Sequence, residues 1–310
     1  MIVFFARGAN CQTLATLTRQ YERGLARLIA MIPYETLPRL KEVPAGVYVF
    51  TDLETLTPAQ LALARAAADQ LEDAGARVLS HPVRALTRLP LLERLSHGGR
   101  NRFRAFRSTA IPPDLQFPVF LRLERDHEGP RTPLIETPED LEQVILEGYA
   151  KGYDPFDLLV VEFLDTSDSA GIFRKYGAFR IGERIVARHL IGGRTWMLKA
   201  ADRLKTAELL AEEHEYMNAN PHQDRLRPLF ELAGIAYGRI DYAMLGEDIQ
   251  TWEINTNPVA MSPTHHYDET QLPHHQAVAA RLREAFEGLD AGSLQKDVPI
   301  HLRLRDVQLT

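Results

Sequence analysis

The run RIDYAMLGEDIQTWEINTNP, Arg239 to Pro258, carries oxygen donors at a spacing that suits metal chemistry. Two alternating runs, Arg239 to Leu245 and Ile249 to Asn255, flank Gly246, Glu247 and Asp248, which predicts a β-hairpin. With the turn centred on Glu247, Asp241 lies across from Glu253 and Arg239 across from Asn255. Side chains alternate along a strand, so these four share one face; Ile240, Tyr242, Trp252 and Ile254 form the other, a core surface. Two facing carboxylates repel. A divalent cation turns that repulsion into chelation, and Mg2+ prefers oxygen ligands such as Asp, Glu and the Asn carbonyl. The competing reading is a polar outer face with solvated carboxylates, since antiparallel sheets commonly wet one side. Glu253 and Trp252 on the same side of the sheet would end the metal reading, and a one-residue bulge is the simplest way for that to happen.

Arg-x-Asp, followed about a dozen residues on by Glu-x-Asn-Thr-x-Pro, resembles the metal-binding hairpin of the ATP-grasp superfamily. D-alanine–D-alanine ligases, glutathione synthetases and ribosomal-protein glutamate ligases carry that pattern. The resemblance implies that Asp241, Glu253 and Asn255 hold two Mg2+ ions, or Mn2+, against the ATP phosphates. It also implies that Arg239 is catalytic, facing an acyl-phosphate intermediate.

Composition fits an ordinary globular enzyme. The chain has 310 residues, 45% apolar and 25% charged, enough for two or three subdomains with ample core. A net charge of −6 gives no general field for nucleic acid. The single cysteine, Cys11, excludes an internal disulfide and fits a reducing compartment; with no organised partner nearby it reads as a packed thiol rather than a nucleophile. No apolar run approaches a membrane span, and Met1-Ile-Val-Phe-Phe lacks the basic start of a signal peptide. The expectation is a cytoplasmic protein with neither membrane nor nucleic-acid partner; oligomeric state is not readable.

The elements that must position the hairpin come in two styles. Before residue 100 strand and helix alternate: strand Ile2 to Ala6, helix Thr13 to Ile32, strand Val47 to Thr51, a helix opening at Thr57-Pro58 and stopping at Gly75, then strand Ala76 to Ser80. That order implies right-handed crossovers and a small parallel sheet. No glycine-rich phosphate loop follows these strands; Arg7-Gly8-Ala9-Asn10 is a loop at a strand end, where such sheets bind ligands. Arginines then cluster at 88, 94, 100, 102, 104 and 107 around a predicted helix Leu89 to Ser96. Phe103 and Phe106 interleave too sparsely for a nucleic-acid face.

Phe117 to Leu123 and Leu158 to Leu164 read as strands on either side of a helix opening at Thr137-Pro138-Glu139-Asp140. By the resemblance this is the lid. It implies nucleotide contacts at Arg88 and Arg122, where relatives usually carry lysines, and at Glu162, Phe163 and Leu164 on the hinge beside the adenine. Arg keeps the charge but is not interchangeable with Lys. Glu162 inside LLVVEFL needs a partner whatever its role, although a strand end reaching solvent is the bland reading. Segment Glu124 to Arg131 stands where relatives have a glycine-rich phosphate cover and has only Gly129, so enclosure is looser or uses Arg125, His127 or Arg131. Asp165 or Asp168 could meet the ribose.

Strands Phe173 to Ile181 and Arg184 to Leu190 meet at Gly182-Glu183, a two-residue hairpin. Their charges Arg174, Lys175, Arg180, Arg184 and Arg188 line one or both faces, without the Asp-x-Arg of glutathione-synthetase-like relatives. Lys199 is the remaining lysine to set near the γ-phosphate. A helix from Ala207 to about Ala219 and a second one lead to the hairpin. Ser262, Thr264 or His265 follow it as candidate substrate contacts, a helix from His275 to Phe286 closes the fold, and a packed or loosely held tail ends it. His265, His266, His274 and His275 could suggest zinc, but adjacent pairs point apart and no i, i+4 spacing appears.

The expected fold class is α/β (α+β): an N-terminal parallel subdomain over 1–110, a lid over 111–163, and a C-terminal antiparallel sheet with the metal site over 164–310. The resemblance implies an ATP- and Mg-dependent, ADP-forming ligase that joins a carboxylate to an amine, each on a small molecule or peptide. A kinase on the same fold, or a nucleotide-binding regulator without turnover, is the alternative.

Overall fold

The computed structural model describes residues 1–291 and 298–304. Strands β1 (Ile2–Ala6), β2 (Ile29–Pro33), β3 (Glu42–Val43) and β4 (Val47–Phe50) precede helix α1 (Pro58–Asp73) and β5 (Arg77–Leu79). The sheet runs β2-β1-β4-β5 with every pairing parallel, as strand–helix–strand order requires. Thr57 opens α1 with a reciprocal capping box to Gln60 and Pro58 follows at its start, and Gly75 leaves it at φ +81°. One expectation fails here. Thr13 to Ile32 is not one helix: a π-turn at Leu17–Tyr21 and a 3-10 turn at Arg23–Arg27 give way to β2. The apolar Ile29-Ala30-Met31-Ile32 gains more by pairing beside β1 than by extending a helix through Gly24.

Helix α2 (Arg88–His97) leads into a second sheet of β6 (Ala105–Arg107), β7 (Val119–Leu123) and β8 (Leu158–Glu162), ordered β6-β8-β7 and antiparallel. Helix α3 (Pro138–Ala150) covers one face, its Thr137 cap accepting from Asp140 N–H and its first turn holding Glu139 and Asp140. This second sheet begins at Ala105.

The third sheet is built from β9 (Phe173–Ile181) and β10 (Arg184–Gly193), then, after α4 (Ala207–Ala219) and α5 (Gln223–Leu232), β11 (Tyr237–Leu245) and β12 (Asp248–Asn255). Its order is β10-β9-β11-β12, all antiparallel. Both hairpins turn on two residues with a leading glycine at positive φ, Gly182 at +59° and Gly246 at +59°. One face buries Ile240, Tyr242, Ile249 and Ile254 against Leu226, Leu229 and Phe230 of α5 and Leu91 and Leu95 of α2. The other packs Phe179, Ala187 and Leu190 against α4, the parallel sheet and α6 (Leu272–Ala291). The chain returns to pair β13 (Ile300–His301) with β3, so that part of the expected tail is packed; 292–297 and 305–310 lie outside the described residues.

Candidate functional site

The hairpin β11–β12 pairs Arg239 with Asn255 and Asp241 with Glu253, the register expected from the sequence. It reaches that register by two compensating departures. The turn is the two residues Gly246-Glu247, not three, and the slip it creates is restored by a bulge between the Asp241–Glu253 pair and the Tyr242–Thr251 pair. Trp252 is the extra residue. It therefore leaves the core face, and Trp252 and Glu253 line one cavity beside Asp241. The expectation that Trp252 lies buried behind the sheet is wrong, and the face pattern drawn from strict alternation fails at that residue. Ile249 joins the core face with Ile240, Tyr242 and Ile254. Trp252 and Glu253 on one side is the outcome expected to end the metal reading; that criterion is too broad, because the bulge lies beyond the Asp241–Glu253 pair and leaves the two carboxylates facing each other.

That cavity holds about 460 Å³ between the lid and the third sheet, within the roughly 300–1,000 Å³ of small-molecule sites. Part of its lining is apolar and aromatic: Phe120, Phe163, Leu164, Trp196, Met197, Leu198 and Trp252, with Trp196 centred 4.8 Å from Phe120 and 5.7 Å from Phe163. The rest is largely charged, with the cations Arg122, Arg174, Lys175 and Lys199 beside the carboxylates Asp241, Glu253 and Glu128. His127, Gly129 and Pro130 of the loop after β7 complete the wall, and Gly129 comes close to the Lys199 stem.

Each carboxylate of the hairpin is held by cations. Arg239 forks onto Asp241 through Nε at 2.7 Å and Nη2 at 3.1 Å, and Lys175 Nζ lies 3.8 Å away. Glu253 Oε2 accepts from Arg88 and, at 3.1 Å, from Arg122. Burial alone would raise the Glu253 carboxyl; Arg88, Arg122 and His127 outweigh it and hold it well below the usual range. Asn255 is buried, does not line the cavity, and its Oδ1 accepts from Asn257 N–H at 2.8 Å. Asp241 and Glu253 thus fit an oxygen-preferring cation by donor type, and Glu253 Oε1 accepts no hydrogen bond among the described residues. Among those residues no three His, Cys, Asp or Glu side chains gather as a metal-binding group, and the histidines do not assemble a zinc site: His274 stacks on His214 and His275 on Tyr267.

The structure places the other sequence candidates unevenly. Arg122, Phe163, Leu164 and Lys199 line the cavity. Arg88 lies behind it, only 4% exposed at the side chain, donating also to the carbonyls of Leu123, Glu124 and Asp126. Glu162 is turned the other way: Arg104 forks onto it and Gln116 N–H donates at 2.9 Å, so it pairs neither with solvent nor with the cavity. Arg131 is taken up by Asp126 and Glu128, and Asp168 by Arg174. Arg174, Lys175, Trp196 and Trp252 had no assigned site role from sequence. For Phe173 and Lys175 the i, i+2 spacing on a strand next to β11 was a usable signal.

A chain of contacts runs behind the carboxylates to the parallel sheet. His127 Nε2 lies 2.9 Å from Glu54 Oε1, and Thr256 donates to Glu54 Oε2 at 2.6 Å. Asn257 Nδ2 donates to Asp52 at 3.0 Å, which also accepts from Arg7 N–H and Asn10. Arg7 and Asn10 are thus bound into a junction between the sheets.

No family model matches this sequence, and no curated protein matches it. Solved structures do. The ATP-grasp ligase PsnB, solved with a precursor peptide and AMPPNP, is 11% identical over 93% of this chain and 97% of its own, with a TM-score of 0.51. A RimK-domain ATP-grasp protein from Sphaerobacter thermophilus is 13% identical over 95% and 100%, at 0.50. The macrocyclase MdnC from Microcystis aeruginosa, bound to its precursor peptide, is 11% identical over 92% and 100%, at 0.50. The chain has the ATP-grasp fold, as its hairpin motif implied. At these identities the likeness extends to the fold and no further.

Proposed function

We propose that the protein is an ATP-dependent, ADP-forming carboxylate–amine ligase whose nucleotide occupies the cavity between lid and third sheet. The observation that carries this reading is the cross-strand pair Asp241–Glu253 on the wall of a cavity lined by both aromatic and cationic side chains. The aromatic side chains suit a purine ring, and Arg122, Arg174, Lys175 and Lys199 suit a polyphosphate. Asp241 and Glu253 would hold Mg2+, which when bound neutralises phosphate oxygens. Asn255 would join them only if its side chain left Asn257 N–H.

The chemistry then follows in two steps. A substrate carboxylate oxygen attacks the γ-phosphorus, the bond to the β-γ bridging oxygen breaks, and ADP departs. The amine attacks the acyl carbon, inorganic phosphate leaves with the acyl C–O electron pair, and the amine loses a proton. Arg239, held rigid by its fork onto Asp241, suits stabilisation of the developing acyl oxyanion. The lysines and arginines of the cavity hold the transferring group in line. Neighbours solved with precursor peptides are compatible with a peptide carboxylate.

The ion pairs already satisfying both carboxylates favour a second reading, a nucleotide-binding regulator without turnover. One assay separates the readings: ADP formation from ATP and Mg2+ against a panel of amino acids and small peptides. Amine-dependent ADP supports the ligase, a phosphorylated product a kinase, and tight ATP binding without ADP the regulator.

A further inference from the structure

Glu253 is shared by two guanidiniums of different character. Arg88 is a fixture: it is buried, it also holds three lid carbonyls, and it does not line the large cavity. Arg122 lines that cavity and gives Glu253 one hydrogen bond of 3.1 Å through Nη2; its Nε, like that of Arg88, is buried with no hydrogen-bond partner. Two cations on one carboxylate leave the trio with a net positive charge, in a buried place where an uncompensated charge is costly. A phosphate entering the cavity offers Arg122 a second anion and a better forked partner.

We propose that Arg122 is a positioning residue that gates Glu253, withholding the carboxylate from a divalent cation until a polyphosphate in the cavity draws the guanidinium away. The inference rests on the cavity being a Mg-nucleotide site. It explains how both hairpin carboxylates can be ion-paired and still belong to metal chemistry: the pairing is the resting arrangement, and Arg122 is the exchangeable member. Nucleotide binding therefore precedes cation capture at Glu253, and the nucleotide-free protein binds cations poorly.

The test is Mn2+ binding to the full-length protein, stripped with chelator and free of nucleotide, followed by the electron-spin-resonance signal of free Mn2+. Arg122→Gln should bind Mn2+ at least about tenfold more tightly than the wild type, because a cation beside the ligand has been removed. Adding Glu253→Gln to that variant should abolish the gain. Equal affinities in wild type and Arg122→Gln, whether both tight or both weak, would overturn the gate. Should Arg122→Gln fail to fold, Arg122→Met, which also removes the charge and keeps an unbranched side chain, carries the test; a comparable gain is expected there, and no gain overturns it. ADP formation and ATP binding by the wild type are measured alongside. Turnover with equal Mn2+ affinities removes the gate and leaves the enzyme, whereas absence of ATP binding removes the site itself.

Discussion

Glu253 faces Asp241 across the hairpin and also accepts from Arg88 and Arg122, so its charge matters to both function and folding. Glu253→Gln keeps the size and removes that charge. Turnover should fall by about 10²–10³ with a smaller loss of ATP affinity, because positioned charges gain most where charge develops in the transition state. Steady-state ADP formation beside equilibrium ATP binding checks the split; an unchanged turnover would remove Glu253 from the chemistry. Trp252 now belongs to a different test. Its ring lies 4.9 Å from Phe103 and on the cavity wall, so Trp252→Phe should weaken ATP binding as well as lowering stability by about 1 kcal/mol. A lowered melting temperature with unchanged ATP affinity would return Trp252 to a purely packing role. Trp252 was misread because alternation is all a sequence displays of a strand; the bulge that breaks it follows from pairing, which periodicity does not encode.

At the scale of elements, legibility followed how local the determinants are. The capped start of α1, the two-residue turn at Gly182 and the strands of the third sheet are fixed by neighbours in sequence and match the expectation, whereas the turn at Gly246 holds two residues where three were expected. Ile29–Pro33 was read as helix because its strand character depends on β1, far away in sequence. Glu162 was legible as a buried carboxylate needing a partner, but not as Arg104's, since that pair is made only when β6 joins β8. The lid is the element whose behaviour should respond to ligand. It meets the rest of the molecule through the ion pairs of Arg88, Arg122 and His127 and through an apolar cluster in which Phe120 and Phe163 pack on Trp196. Adding ATP and Mg2+ should raise amide-exchange protection over about residues 117–161, as expected of a closing lid. Unchanged protection would mean a rigid scaffold with no nucleotide beneath it.

Across the whole molecule the three sheets meet at one line of polar contacts, from His127 of the lid through Glu54 and Thr256 to the end of β12. Burial works to lower the His127 imidazole, and the nearby Glu54 carboxylate outweighs it and raises it. Burial likewise works to raise Glu54, and His127, then Thr256, outweigh it and hold it low. The imidazole's share of stability is therefore complete below its ordinary pKa of about 6.5 and is lost as pH rises through the elevated folded value. The carboxylate's share is present above its own ordinary pKa and is lost as pH falls through the depressed one. His127→Gln should accordingly lower the melting temperature near pH 6 and converge with the wild type in mild alkali; a constant difference across that range would deny the charge pair any part in holding the lid. All of this serves one central claim, that the cavity activates a carboxylate with ATP. The most direct measurement replaces the unknown amine with hydroxylamine and follows hydroxamate formation over a panel of carboxylates with ATP and Mg2+. The predicted result is ATP-dependent hydroxamate matched by equal ADP for at least one carboxylate, and loss of both in Glu253→Gln. ATP that binds in the cavity yet yields neither ADP nor hydroxamate with any carboxylate would contradict it.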